Sequence, residues 1–140
     1  MTTNPLAVDQ NITLAELESI FEEHDFNGIP VVDENLHLIG MITKLDLLGA
    51  FDFSKESKVP HYKEIMSQKG TSVMNQELTV FQRETPLTRV LSRMIETRYK
   101  SFPVLEGHRL IGIVSREDVL KALRRAAQGE MPAHSIASAV

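Results

Sequence analysis

Three observations predict a chain of the α/β class, α+β in kind, made of two successive β-α-β-β-α units. The run Leu38-Ile39-Gly40-Met41-Ile42-Thr43-Lys44-Leu45-Asp46-Leu47-Leu48 returns as Leu110-Ile111-Gly112-Ile113-Val114-Ser115-Arg116-Glu117-Asp118-Val119-Leu120. Each copy reads as an apolar strand ending in a hydroxyl residue, with an aspartate three positions later at the start of an amphipathic helix. The copies also align at one constant offset, Val8 with Phe81, Leu14 with Leu87, Phe21 with Met94 and Pro30 with Pro103. A one-residue shorter turn in the second copy then brings Gly40 to Gly112 and Asp46 to Asp118.

Taken in order, Leu6-Ala7-Val8 is a short strand candidate, and Thr13 with Glu16 forms a capping box at the start of a helix. Leu14, Leu17, Ile20, Phe21 and His24 fall at helical spacing and give it one apolar face. The opposite face carries Glu16, Glu18, Glu22 and Glu23, a solvated acidic surface. Asn27-Gly28-Ile29-Pro30 breaks the helix, Val31-Val32 starts a strand, and Asp33-Glu34-Asn35 turns it back into Leu38 to Ile42. A helix then opens at Thr43 and runs through Leu45, Leu47, Leu48 and Phe51.

Residues 52–70 are polar, contain Pro60 and interrupt the repeat, so they read as a linker carrying one short helix around His61 to Gln68. In the second copy Thr85 is expected to open the helix with Pro86 at its first position, and Leu87, Val90, Leu91, Met94 and Ile95 supply the buried stripe. The last helix runs from about Arg116 to Ala127, with Arg124 and Arg125 at its negative end and Gly129 as its stop. The domain plan is therefore 1–51 for the first unit, 52–70 for the linker, 71–127 for the second unit and 128–140 for a poorly ordered tail.

Composition narrows the functional classes. A chain of 140 residues buries about two-thirds of its unfolded surface, so a real core is expected. With a net charge of −4 and no basic run, nucleic acid and anionic membranes are disfavoured as partners. There is no cysteine, hence no disulfide, no thiolate metal site and no cysteine nucleophile. No apolar run reaches the roughly 18 residues of a membrane span, and the N-terminus lacks the pattern of a signal peptide. A cytoplasmic protein is expected. His24, His37, His61, His108 and His134 are scattered, with no H-E-x-x-H pair, G-x-S-x-G elbow or Walker A loop. The sequence therefore reads as no enzyme, with no catalytic residues, no metal site and no resident cofactor.

The repeated junction carries what chemistry there is. Structurally, Thr43 and Ser115 are N-caps, and Asp46 and Asp118 complement the positive end of a helix dipole. Such a helix start also offers N–H groups and a hydroxyl to a phosphate, while the carboxylate offers acceptors to a vicinal diol such as ribose. Lys55, Lys58, Lys63 and Lys69 of the linker region are read chiefly as solvated charges.

The pattern Gly28-Ile29-Pro30-Val31-Val32-Asp33, followed by Leu38 to Thr43 and Asp46-Leu47-Leu48, and its return around Phe102-Pro103-Val104, Gly112 to Ser115 and Asp118-Val119-Leu120, resembles a tandem pair of cystathionine-β-synthase (CBS) domains, a Bateman module. The resemblance covers roughly residues 1 to 126 and implies two repeats related by a pseudo-twofold, with sheets packed together, that dimerise. It implies a regulatory module that binds an adenine nucleotide or S-adenosylmethionine in clefts between the repeats and signals occupancy to an effector protein or attached domain. By the same resemblance, Asp46 and Asp118 match the ribose-binding aspartate, and Thr43 and Ser115 the hydroxyl near the phosphate. Gly28-Ile29-Pro30 and Ser101-Phe102-Pro103 match the loop bordering the adenosine, and Ala7-Val8 and Val80-Phe81 the first strand, whose backbone reads the adenine edge.

Departures from the family pattern single out the second copy. Family members often carry a basic residue two places after the hydroxyl, where this chain has Leu45 and Glu117, and its basic residues Lys44 and Arg116 come one place earlier. Arg98 and Lys100 stand where the first copy has Asp25 and Asn27, so the second site presents more positive charge to a phosphate. Pro5 precedes the first strand as in the family, whereas Leu78 replaces it in the second copy. The second copy has a lead-in, Ile65 to Val73, that the first lacks, as expected either of an abrupt start or of a piece of a longer chain. The competing functional class is a dimerisation or protein-interaction module whose sites hold no ligand.

Overall fold

The computed structural model describes residues 5–51 and 62–129; most of the expected linker and of the expected tail, residues 52–61 and 130–140, lie outside them. The chain divides into two compact units, one spanning Leu6–Leu78 and the other carrying its secondary structure from Thr79 onward. Each holds a three-stranded sheet with helices, a mixed α+β architecture in the β-α-β-β-α order.

In the first unit β1 (Val8–Asp9), α1 (Leu14–Glu23), β2 (Ile29–Val32), β3 (Leu38–Ile42) and α2 (Lys44–Gly49) follow in sequence, with β2 central in the sheet. β1 pairs parallel to β2 and β3 pairs antiparallel to it, Ile29 opposite Ile42 and Pro30 opposite Met41. Strand β1 is two residues long and begins two positions later than the expected Leu6-Ala7-Val8, and Pro30 explains why. Met41 directs its N–H and C=O outward to Asn75, at 3.0 and 2.8 Å, so its partner Pro30 faces away from β3. The donor that proline lacks falls on the β1 side, and parallel pairing begins only at Val31 with Val8. Every residue of β2 is buried, as befits a strand covered on both faces.

Thr13 caps α1 as expected: Glu16 N–H donates to its Oγ1 at 3.3 Å, and the Glu16 carboxylate accepts from Thr13 N–H. Leu14, Leu17 and Phe21 enter a core shared with Val8, Ile29, Val31 and Ile42. His24 is instead the exposed C-cap, stacked on Phe26 with ring centroids 4.8 Å apart. At the β2–β3 turn Asp33 Oδ1 accepts from the N–H groups of Asn35 and His37, holding Leu36 at φ 62°. These backbone donors, His37 first, pull the Asp33 carboxyl below its ordinary pKa.

Residues 62–78 belong to this first unit, although the sequence divides them between linker and second repeat. Helix α3 (Tyr62–Met66) buries Ile65 and Met66 in the first core. Leu14 N–H donates to Gln68 O at 2.9 Å and Gly70 N–H to Ile12 O at 2.8 Å, fixing the start of α1. Tyr62 Oη donates to Glu18 at 2.8 Å, which raises the phenol pKa. Gly40 makes room for the Met74-Asn75 segment over β3, since a Cβ there would lie 2.6 Å from Met74 Sδ.

The second unit repeats the order with β4 (Phe81–Gln82), α4 (Leu87–Thr97), β5 (Ser101–Glu106), β6 (Arg109–Ser115) and α5 (Arg116–Ala127). β4 pairs parallel to β5 from Phe81 opposite Val104, so Pro103 shortens this first strand as Pro30 does the other. The β5–β6 hairpin closes through Gly107 at φ +64°, between the paired Glu106 and Arg109. Phe81, Leu87, Val90, Met94, Phe102, Val104, Val114, Val119 and Ala122 form its core.

Two expectations for α4 change. Pro86, with ψ 143°, is the N-cap and not the first helical residue, because Thr85 Oγ1 accepts from Gln82 N–H at 2.9 Å instead of capping the helix. Ile95 lies off the core stripe, 68% exposed, and Leu91 only borders the core.

Candidate functional site

Each sheet ends in the same way. β1 and β2 start where β3 finishes, and β4 and β5 start where β6 finishes, so a helix N-terminus emerges beside two strand starts in each unit.

In the first unit Thr43 N–H and Oγ1 both donate to Asp46 Oδ2, at 2.8 and 3.0 Å, and Asp46 N–H returns to Thr43 Oγ1 at 3.2 Å. In the second unit Ser115 N–H and Oγ donate to Asp118 Oδ2 at the same 2.8 and 3.0 Å, and Asp118 N–H returns to Ser115 Oγ at 3.3 Å. The two junctions are thus superimposable capping boxes with aspartate in the reciprocal position. Aspartate is one methylene shorter than the usual glutamate, which keeps the carboxylate close to the helix start. All four side chains are half-buried, reachable by a ligand yet held in one orientation by the cap. A carboxylate has about four acceptor directions, and in each box the cap bonds run to Oδ2.

The remaining residues sort by burial. Phe102 and Ile29 are wholly buried, and Val8, Phe81, Pro30 and Pro103 are buried as well, so only their backbone can border a ligand. Ile29 and Pro30 lie in β2, and Ser101, Phe102 and Pro103 in β5, not in loops as the resemblance implies, because Ile29 pairs with Ile42 and Ser101 with Ser115. Gly28 stands just before β2, where an added Cβ would be 3.6 Å from Thr43 Cγ2, so it lies against the first junction. Ala7 and Val80 are half-buried immediately ahead of β1 and β4.

The basic residues differ between the units. Lys44 is exposed and has no hydrogen bond or ion pair among the described residues. Arg116, its counterpart, donates from Nε to Tyr99 O at 3.3 Å and from Nη2 to Arg98 O, while its own N–H bonds Lys100 O at 3.2 Å. Arg98 is the C-cap of α4 in the left-handed conformation at φ 60°, which costs a non-glycine residue about 1–2 kcal/mol. Nothing in the sequence marks this cap, since neither glycine nor asparagine stands there. The role of Tyr99, through its carbonyl, is likewise unmarked. Arg98 and Lys100 are exposed beside the junction, as their charge requires. Of the linker lysines among the described residues, Lys63 is exposed on α3 and Lys69 Nζ donates to Asn11 Oδ1 at 3.1 Å. Among the described residues no group of three His, Asp or Glu could hold a metal ion, and no helix is long and apolar enough to cross a membrane.

A doubled β-α-β-β-α chain with a hydroxyl-x-x-aspartate box at each sheet end defines a tandem repeat module. The family model described as CBS domain matches residues 1–52 and 70–125, and the chain belongs to the CBS-domain family. It is 28% identical over 116 residues to L-aspartate semialdehyde sulfurtransferase of Methanocaldococcus jannaschii, covering 82% of this chain but 20% of that protein. The chain thus spans about a fifth of that relative's length. Among solved structures, CBSX2 in complex with AMP matches at a TM-score of 0.76 and 22% identity, covering 91% of this chain and 94% of that one. The CBS domain pair of protein MJ0100, in complex with 5′-methylthioadenosine and S-adenosyl-L-methionine, matches at 0.68 and 24% identity over 87% and 93% of the two chains.

Proposed function

We propose that this chain is a cytoplasmic regulatory module that binds adenine-containing ligands, AMP, ADP, ATP or S-adenosylmethionine, and signals their occupancy to a partner protein or attached domain. The observation that carries the reading is the paired capping boxes, in which a fixed carboxylate, a hydroxyl and helix N–H groups converge beside two strand starts. Asp118 and Asp46 hold the ribose diol, Ser115 and Thr43 lie nearest the phosphate, and the backbones of Val80-Phe81 and Ala7-Val8 meet the adenine edge. Support comes from the AMP complex of CBSX2 and the S-adenosyl-L-methionine complex of the MJ0100 pair. The second half-site is the preferred one, because Arg98 and Lys100 add positive charge where the first has Asp25 and Asn27. The module performs no catalysis and no metal takes part; ligand acts by differential affinity for two arrangements of the module.

A second reading, an interaction module without ligand, is favoured by Leu45 at 76% and Leu48 at 66% exposure on α2, and by Leu120 at 62% on α5. On both readings the chain forms a homodimer. A thermal melt with AMP, ADP, ATP, S-adenosylmethionine and GMP separates them. A ligand at a hundred times its Kd adds about 2.7 kcal/mol, a rise of roughly 5–10 °C in Tm. A rise confined to adenine compounds is the expected result. No rise with any of them up to millimolar concentration would leave the interaction module as the function.

A further inference from the structure

We infer, on the nucleotide reading above, that Arg116 is a positioning residue of the second half-site and not its phosphate ligand. Arg116 is a candidate phosphate contact one place ahead of the family's usual basic position, but its guanidinium is already engaged with the carbonyls of Arg98 and Tyr99, and its N–H with that of Lys100. Residue 116 therefore binds three successive carbonyls of the turn between α4 and β5. That turn has only residues 98–100 to bring the chain from the helix into Ser101, and it does so through a left-handed Arg98. Ser101 is paired with Ser115, the cap of α5, so the tie sets the spacing between the start of β5 and the Ser115–Asp118 box.

A planar guanidinium fork can donate to two neighbouring carbonyls at once, and cationic donors suit the negative end of a helix. The first unit shows the arrangement without the tie. There α1 ends in an extended His24, five residues separate α1 from β2, and Lys44 bonds no described residue. The phosphate charge partners of the second half-site are then Arg98 and Lys100, whose exposed side chains flank the tied backbone.

Arg116→Lys and Arg116→Ala decide the matter when titrated with AMP and with adenosine, which lacks the phosphate. Both ligands are expected to weaken by the same factor, about tenfold for alanine, with lysine giving little rescue because it cannot fork. Loss of AMP affinity alone, restored by lysine, would make Arg116 a phosphate ligand and overturn the proposal, as would unchanged affinity for both. Hydrogen exchange on the unliganded protein reads the tie without nucleotide. The amides of Arg98 and residue 116, which bond Met94 O and Lys100 O, should exchange faster in both variants. Unchanged protection there overturns the tie by itself, whereas a wild-type chain that binds neither AMP nor adenosine overturns the functional reading.

Discussion

Phe102→Ala is expected to destabilise the second unit by about 3–5 kcal/mol, a large part of the 5–15 kcal/mol that holds a typical domain folded. Phe102 is wholly buried in the core of the second unit. Its ring lies 5.0 Å from that of Phe81 on the neighbouring strand and 6.0 Å from that of Tyr99 in the turn after α4. Removing it leaves a cavity in a core whose other members, Val90 and Val114 among them, are held by helix and sheet. The turn also loses its packing, so ligand affinity at the adjoining half-site should fall with stability. A denaturant titration checks the size of the loss. Phe102→Leu, which keeps most of the volume, should recover most of it.

Asp118→Ala is expected to have the largest effect on function. In the folded protein Asp118 Oδ2 accepts from Ser115 N–H and Oγ, so alanine removes the acceptor of the cap and the negative charge at the start of α5. The stability cost should be about 1–2 kcal/mol. On the proposed nucleotide reading the same change deletes the ribose acceptor, and hydrogen bonds to a charged group contribute about 1.5–3 kcal/mol, so nucleotide affinity should fall roughly 10–100-fold. Asp46→Ala should cost the same stability, because its box has the same geometry, but less affinity, because Asp25 and Asn27 replace the basic pair there. Equal affinity in the Asp118→Ala variant and the wild type, measured by titration calorimetry, would remove the ribose role and leave only the cap.

What the sequence revealed and what it concealed divide along the range of the interactions. The two caps, the helix at Thr13, the hairpin through Gly107 and the stop at Gly129 rest on contacts within about four residues, and their side-chain chemistry is written locally. The internal repeat made the unit order legible because each copy checks the other. The packing of residues 62–78 with the first unit is not legible locally because it is long-range: Asn75 to Met41 and Gly70 to Ile12 are backbone bonds that no periodicity announces. Gly40, a glycine inside a strand, was the one local sign of that approach. The first strands begin later than their apolar residues suggest because the donor that Pro30 and Pro103 lack also sets where parallel pairing begins.

At the candidate site the same distinction holds. Hydroxyl and aspartate were legible as a pair, since a capping box needs only four residues. The side chains of Phe102, Ile29, Phe81 and Val8 are committed to the cores, which leaves only their backbone to face a ligand. The engagement of Arg116 with the α4 turn depends on a left-handed arginine, a conformation the residue type does not favour.

The most direct measurement is a map of backbone amide chemical shifts as AMP is added to the wild-type chain. The largest changes are expected at Ser101 and at Ser115 to Asp118, with smaller ones at Gly28 and at Thr43 to Asp46. Changes confined to the exposed faces of α2 and α5, or none at millimolar AMP, would contradict nucleotide recognition at the capping boxes.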